Sequence, residues 1–173
     1  MATAPAPSAP PAAIIDACAL LAPADVEQIT GKVSGSLSST LDDAIGRDPS
    51  QCSYPLSGEV PPRLVGLQVR RYPTAEQAAR LFHAAESGLR SLASSAVFQQ
   101  VPQLGDSAFW IGGQLDQLHV LSGTTHLVFS VQTDKDQLAA ASALAAKALA
   151  RLRAPAPAVS RPGVPAAQAN RPR

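Results

Sequence analysis

Apolar residues along this chain recur with two different periods, and the switches between them mark out most of the fold. In RLVGLQVRRY, residues 63–72, Val65, Leu67 and Val69 alternate with Gly66, Gln68 and Arg70, which predicts a strand with one buried face. Pro73 ends it. Thr74 follows as a helix cap, with Gln77 three residues on in a capping-box pattern. Ala78, Leu81, Phe82, Ala85, Leu89 and Leu92 then fall at helical spacing and form a buried stripe. Closer to the start, Leu20, Leu21, Val26 and Ile29 suit one face of a short helix. Pro23, Asp25 and Glu27 fit its first turn, and Gly31 fits its stop. Residues 35–41 and 51–56 are strand candidates in a Ser-, Asp- and Gly-rich stretch.

The second half reads as strand, turn, strand, hairpin, helix. Residues 99–101 and 107–111 are strands separated by a turn at 102–106. Residues 115–121 and 125–132 form a hairpin about SGTT, with Leu118, Val120, Leu127, Phe129 and Val131 as one buried face. Thr133-Asp134 is the expected cap of a last helix lined by Leu138, Ala141, Ala145, Ala148 and Leu152. Arg151 and Arg153 sit at its negative end, and Pro155 stops it. Antiparallel neighbours dominate this order. It predicts an α+β fold, a mostly antiparallel sheet with helices packed on it, rather than a doubly wound parallel sheet. Phe109 and Trp110 point to opposite sides of their strand, so helices are expected on both sheet faces.

Composition sets the domain limits. Residues 1–13 and 154–173 are Ala- and Pro-rich and cannot bury enough apolar surface to offset the entropy of ordering; both are expected to be flexible tails. About 140 residues remain, 14–153, enough for one core. The net charge of +1 and seven aromatics in 173 residues argue against a nucleic-acid surface. No run approaches the roughly 18 apolar residues of a membrane span. Met1 is followed by Pro-rich sequence with no basic and then apolar leader. Two explanations compete: a cytosolic chain, or one from which a signal has been removed. A monomer is expected.

The chain has two cysteines, Cys18 at the entry to the first helix and Cys52 in a strand, with 33 residues between them. That spacing is no zinc motif. Two readings stand: two buried thiols, or one disulfide tying the weak segment 33–51 to the body. A disulfide would persist only in an oxidising compartment. Cys18, Leu20, Leu21, Pro23, Asp25, Val26 and Gly31, followed by Cys52-Ser53-Tyr54, form a pattern that resembles a family of small bacterial envelope lipoprotein domains, common in actinobacteria and of unknown function. The resemblance covers about residues 14–153 and implies a PsbP-like α/β sandwich in the periplasm or cell envelope. Ala22 departs from it, standing where such domains carry a capping Thr or Ser, and the sequence carries no lipobox.

Little in the chain points to catalysis. Gly105-Asp106-Ser107 echoes serine-hydrolase motifs, but Asp116-x-x-His119 follows only nine residues later, and an i,i+3 pair on a strand points to opposite faces. The motif reads as a turn. His119 and His126 share a hairpin face. They are directly opposite if Ser122-Gly123 is the turn, and offset by one pair if Gly123-Thr124 is. Without a nearby carboxylate they are expected to face solvent rather than hold a metal, and His83 to lie at the surface. Of Arg70 and Arg71, at least one is expected exposed at a sheet edge. If a pocket exists, it is expected at Trp110, Tyr72 and the hairpin, with Arg70 as polar handle and Gly112-Gly113 allowing close approach. No P-loop, dinucleotide turn or metal cluster is present, so no cofactor is expected. The expectation is a non-enzymatic extracytoplasmic domain that binds a protein or a small apolar ligand. A cytosolic adaptor and, weakest, a serine hydrolase are the alternatives.

Overall fold

The computed structural model describes residues 14–40, 49–58, 63–93, 95–113, 115–134 and 136–154. They form a seven-stranded antiparallel sheet with helices on both faces. The strands are β1 (Leu37–Thr40), β2 (Ser50–Pro55), β3 (Leu64–Arg71), β4 (Val97–Gln100), β5 (Ser107–Gly112), β6 (Gln117–Ser122) and β7 (Thr125–Val131). The helices are α1 (Ala17–Leu20), α2 (Pro23–Thr30), α3 (Ala75–Leu92) and α4 (Gln137–Arg153). The spatial order is β1-β2-β3-β7-β6-β5-β4. Two meanders, β1–β3 and β4–β7, therefore meet at a single ladder, β3 against β7, and α3 carries the chain between them.

One face carries the larger core. Cys52 and Tyr54 of β2, Val65, Leu67 and Val69 of β3, Leu127, Phe129 and Val131 of β7, Leu118 and Val120 of β6, and Trp110 of β5 all bury there. α1, α2 and α4 cover them. α4 lies close because the residues it buries are mostly alanines, Ala140, Ala141, Ala145 and Ala148, with Leu144 and Leu149 filling the remaining space. On the other face the described residues supply one covering helix. α3 packs over β5, β6 and β7 through Ala78 and Phe82, which meet Tyr72, Phe109, Ile111 and Leu121.

The first helix is tied to β2 at three points, and alternation along the strand explains why. Ser50, Cys52 and Tyr54 share a face and stand one above the other. Ser50 Oγ accepts from the Ala17 N–H at 2.8 Å. Cys18 and Cys52 form a disulfide with their Cα atoms 5.1 Å apart. The Tyr54 hydroxyl donates to the Leu21 carbonyl. Burial, reinforced by Asp16 and Asp25, raises Tyr54 to about 12, so the phenol keeps the proton it donates. The disulfide resolves the choice left open by the sequence, since the described chain holds no free cysteine.

α2 is then clamped to α4. Ala22 has no side-chain acceptor, and the capping is done from the other side: the Asp25 carboxylate accepts from the Ala22 N–H at 3.0 Å. The same carboxylate meets Arg151 at 2.5 Å and Lys147 at 3.4 Å. The hydrogen bond from Arg151 lowers the Asp25 pKa against the opposing effect of burial. Arg151 also donates to the Leu20 carbonyl at 3.0 Å.

Three expectations need correction. α4 is capped by Asp136, whose side chain accepts from the Ala139 N–H, and not by Thr133-Asp134. Asp134 instead pairs with Arg63 at the start of β3. Leu92 is 85% exposed. An 18-residue helix is about 27 Å long, and its last turn runs past the apolar patch that covers its middle. Arg70 and Arg71 lie at the end of an inner strand rather than on a sheet edge, Arg71 exposed and Arg70 half-buried beside α3. The tails expected at 1–13 and 154–173 lie, apart from Ala154, outside the described residues, as does Pro155.

Replacing both cysteines by alanine removes a crosslink from the unfolded chain. For a loop of this length the chain-entropy relation gives a loss of about 4 kcal/mol, which urea unfolding of the variant and of the oxidised protein will show.

Candidate functional site

Beside α3, no helix among the described residues covers the second sheet face. Its residues there follow from strand alternation and register. Gln51 pairs with Gln68, Gln68 with Val128, and Gly66 with Ser130. Gln51, Gln68, Gln117, Val128 and Ser130 line a cleft of about 220 Å3 around Gly66. The cleft exists because Gly66 lacks a side chain, and a Cβ there would meet nothing nearer than Ser130 Cβ at 3.8 Å. No charged group lines it. A surface of amides and hydroxyls on a rigid sheet can take hydrogen bonds from a partner without demanding a counter-charge.

A chain of hydrogen bonds runs from this cleft to the space under α3. The Gln117 amide donates to Ser130 Oγ at 3.2 Å, and its carbonyl faces His119 Nε2 at 3.4 Å. A carbonyl only accepts, so His119 carries its proton on Nε2. His119 Nδ1 therefore accepts, and its partner at 3.1 Å, His126 Nε2, donates. Both imidazoles are buried, at 5% and 8% exposure. His119 stacks flat on Phe109 at 4.6 Å, and His126 meets the Phe82 ring of α3 edge-on at 5.2 Å. Burial lowers His119 to about 3, with His126 adding to it. Burial and the Arg70 cation lower His126 to about 4. Both are neutral at ordinary pH.

The histidines were expected to face solvent, and the structure corrects this. The hairpin turn is Gly123-Thr124, with Gly123 at φ +57°, and the two residues are offset by one pair. They share a face as expected, but α3 covers that face. Among the described residues no group of three or more metal-binding side chains exists. His83 lies at the surface as expected.

The residues singled out for ligand binding are divided by the sheet. Trp110, 6% exposed, sits in the larger core with Leu118 beside it. Tyr72, 5% exposed, packs under α3 on the opposite face, and Arg70 is in register with His126 on that same face. Tyr72 and Arg70 are thus brought to one side and Trp110 to the other. What approaches Gly112 closely is Trp110 itself: a Cβ on Gly112 would lie 2.6 Å from the indole nitrogen. A second pair of clefts, of about 410 and 400 Å3, shares Gln103, Leu104 and Gly105, and the latter cleft is completed by Ala146, Leu149, Ala150 and Arg153 of α4.

The Gly-Asp-Ser motif builds a turn. Gly105 has φ +67°, and a Cβ there would lie 2.3 Å from the Leu121 carbonyl oxygen. The Asp106 N–H donates to that carbonyl at 2.7 Å, and its carboxylate accepts from the Gly123 N–H at 2.6 Å. Asp116 holds the β5–β6 turn, accepting from the Gly113 N–H at 2.9 Å. Both aspartates are thereby engaged with backbone N–H groups on turns.

Comparison with protein families, with curated proteins and with solved structures finds no match to this chain.

Trp110 emission is expected to be blue-shifted and resistant to acrylamide. Gly112→Ala drives a methyl group into a stiff indole and should lower stability by about 1–3 kcal/mol while shifting that emission to the red. Gly66→Ala, at a position with room, should leave both the emission and the melting temperature close to those of the parent.

Proposed function

We propose that this chain is a non-enzymatic domain of the cell envelope or periplasm that binds a protein partner through the sheet face beside α3. The disulfide is the observation that carries the compartment. It sits at the joint between α1 and β2, with Cys52 fully buried, so oxidation belongs to the folded architecture rather than to an exposed surface thiol pair. Disulfides of this kind persist where the surroundings are oxidising. The resemblance of the Cys18 and Cys52 segments to small envelope lipoprotein domains points the same way. No helix among the described residues is long and apolar enough to cross a membrane.

Support for binding comes from the sheet. Leu37, 65% exposed, continues the uncharged surface of Gln51, Gln68 and Ser130 toward the edge at β1. A small apolar ligand is the second reading. It would fit the cleft of about 400 Å3 between Leu104 and the Leu149 face of α4, which lies within the usual volume range of ligand sites. The non-enzymatic part of the reading rests on the turn roles of Asp106 and Asp116, which hold backbone N–H groups.

Rapid acid quenching of the producing cells, followed by alkylation and intact-mass analysis, tests the compartment. The expected outcome is a chain with no alkylated thiol, recovered in the envelope or periplasmic fraction. Two alkylated thiols in a cytosolic fraction would turn the assignment to a cytosolic adaptor. Turnover of simple esters that disappears in Ser107→Ala would turn it to a hydrolase.

A further inference from the structure

We propose that the His119–His126 pair is an acid-operated latch that holds α3 on the sheet when neutral and releases it when protonated, uncovering the apolar face beneath. The geometry makes α3 the element that gives way. Among the described residues the cluster it closes holds six buried hydrophobics, Ala78 and Phe82 of α3 itself and four beneath it, against twenty-four in the core on the opposite face. His126 is in direct ring contact with Phe82, the largest side chain that α3 buries. His119 lies one hydrogen bond further in, flat against Phe109.

The neutral pair is self-consistent because one imidazole donates and the other accepts. Protonating His119 breaks this arrangement, whereas protonating His126 on Nδ1 keeps the hydrogen bond but sets a buried cation beside Arg70. His119 with two N–H groups turns a donor toward the His126 donor, and a second charge adds repulsion at 3.1 Å. From β3 the group facing the pair is Arg70, a cation. From β5 it is Phe109, while Asp106 just before that strand is held by the Gly123 N–H. On α3, the titratable neighbours of Phe82 are His83, which is exposed, and Glu86, which is held by Arg90 and by Gln100 of β4. The one way to hydrate two imidazolium rings is to lift the helix that covers them. The contacts that α3 keeps at its far end, Glu86 with Gln100 and Arg90 over the Phe98 ring at 4.5 Å, are peripheral and include solvent-exposed charges, so they resist weakly. Release would expose Tyr72, Phe82, Phe109, Ile111 and Leu121, an apolar face that the neutral protein hides.

The sign follows from linkage. The pair is neutral when packed and has ordinary imidazole affinity for protons, pKa about 6.5, once exposed. The docked state is therefore favoured above that value and is lost as pH falls through the window down to about 4. Two protons are taken up per release in that window, so the equilibrium constant for opening should rise about 100-fold per pH unit.

Hydrogen exchange of the α3 amides, corrected for intrinsic rates and followed from pH 6.5 to 4.5, reads this constant directly. In the intact protein the expected change approaches 100-fold per unit. It should fall to about tenfold per unit in His126→Gln and vanish in His119→Gln/His126→Gln. Trp110 lies on the opposite face and serves as control: its emission and the exchange of β2 and β3 amides should stay constant while α3 opens and a fluorescent apolar dye binds. An α3 exchange profile flat with pH would overturn the latch. So would equal acid sensitivity of β2, β3 and α3, since that is global unfolding. Should the variants fail to fold, the steepness measured in the unmodified protein and the titration of its own two imidazoles by NMR decide the matter.

Discussion

Everything on the larger face of this sheet depends on how α1 is fastened to β2. A four-residue helix has too few internal hydrogen bonds to persist alone. Here it is held by a hydrogen bond from the Ala17 N–H to the Ser50 hydroxyl, a covalent bond to Cys52 and a hydrogen bond from Tyr54, three consecutive inward positions of one strand. The fastening fixes Leu20 and Leu21 against the core and sets the start of α2, which brings Asp25 to Arg151. One carboxylate then joins the N-terminal helices to the C-terminal one. The chain contains few aromatics and many alanines, so its core is thin, and such cross-ties matter more than they would over a core rich in large side chains.

Most of the fold was legible because most strands bury one face and carry polar residues on the other. Val65, Leu67 and Val69 announce β3 without help from tertiary structure. The sandwich of helices on both faces followed from Phe109 next to Trp110, and the structure has it so. Boundaries slipped where local capping had competing solutions. Thr133, Asp134 and Asp136 can each begin a helix; Asp134 is engaged instead by Arg63, which lies far away in sequence, and Asp136 makes the cap.

The candidate site was much less legible. A histidine on a hairpin reads as exposed unless the covering element is known, and α3 reaches His126 from nearly forty-five residues upstream in sequence through a single phenylalanine. One local signal was present: Val120-Leu121 after His119 and Leu127-Val128-Phe129 after His126 are consecutive apolar residues that fall on both strand faces, unlike the alternation of Val65 to Arg70 in β3. The cleft beside α3 had no local signal, because glutamine, serine and glycine on a strand look alike whether they face solvent or a partner. Trp110 is the one tryptophan of the chain, and a lone tryptophan in a small domain is often the largest available filler; it fills the core here.

The single ladder between the two meanders has a bearing on how the chain assembles. β6 and β7 are hairpin neighbours and close a short loop, whereas β3 must find β7 across the whole of α3, β4, β5 and β6 through seven residue pairs. Local pairings form faster than distant ones because less chain entropy is lost in bringing them together. The C-terminal meander can thus exist as an early unit with the β7 edge open, and an open edge invites pairing with other chains. The Cys18–Cys52 bond lies wholly within the N-terminal half. Oxidation before docking would present β3 as part of a preassembled piece, shortening the time for which the β7 edge stands unpaired. Formed in that order, the bond would act as a kinetic guard during folding, in addition to being a strut in the finished domain.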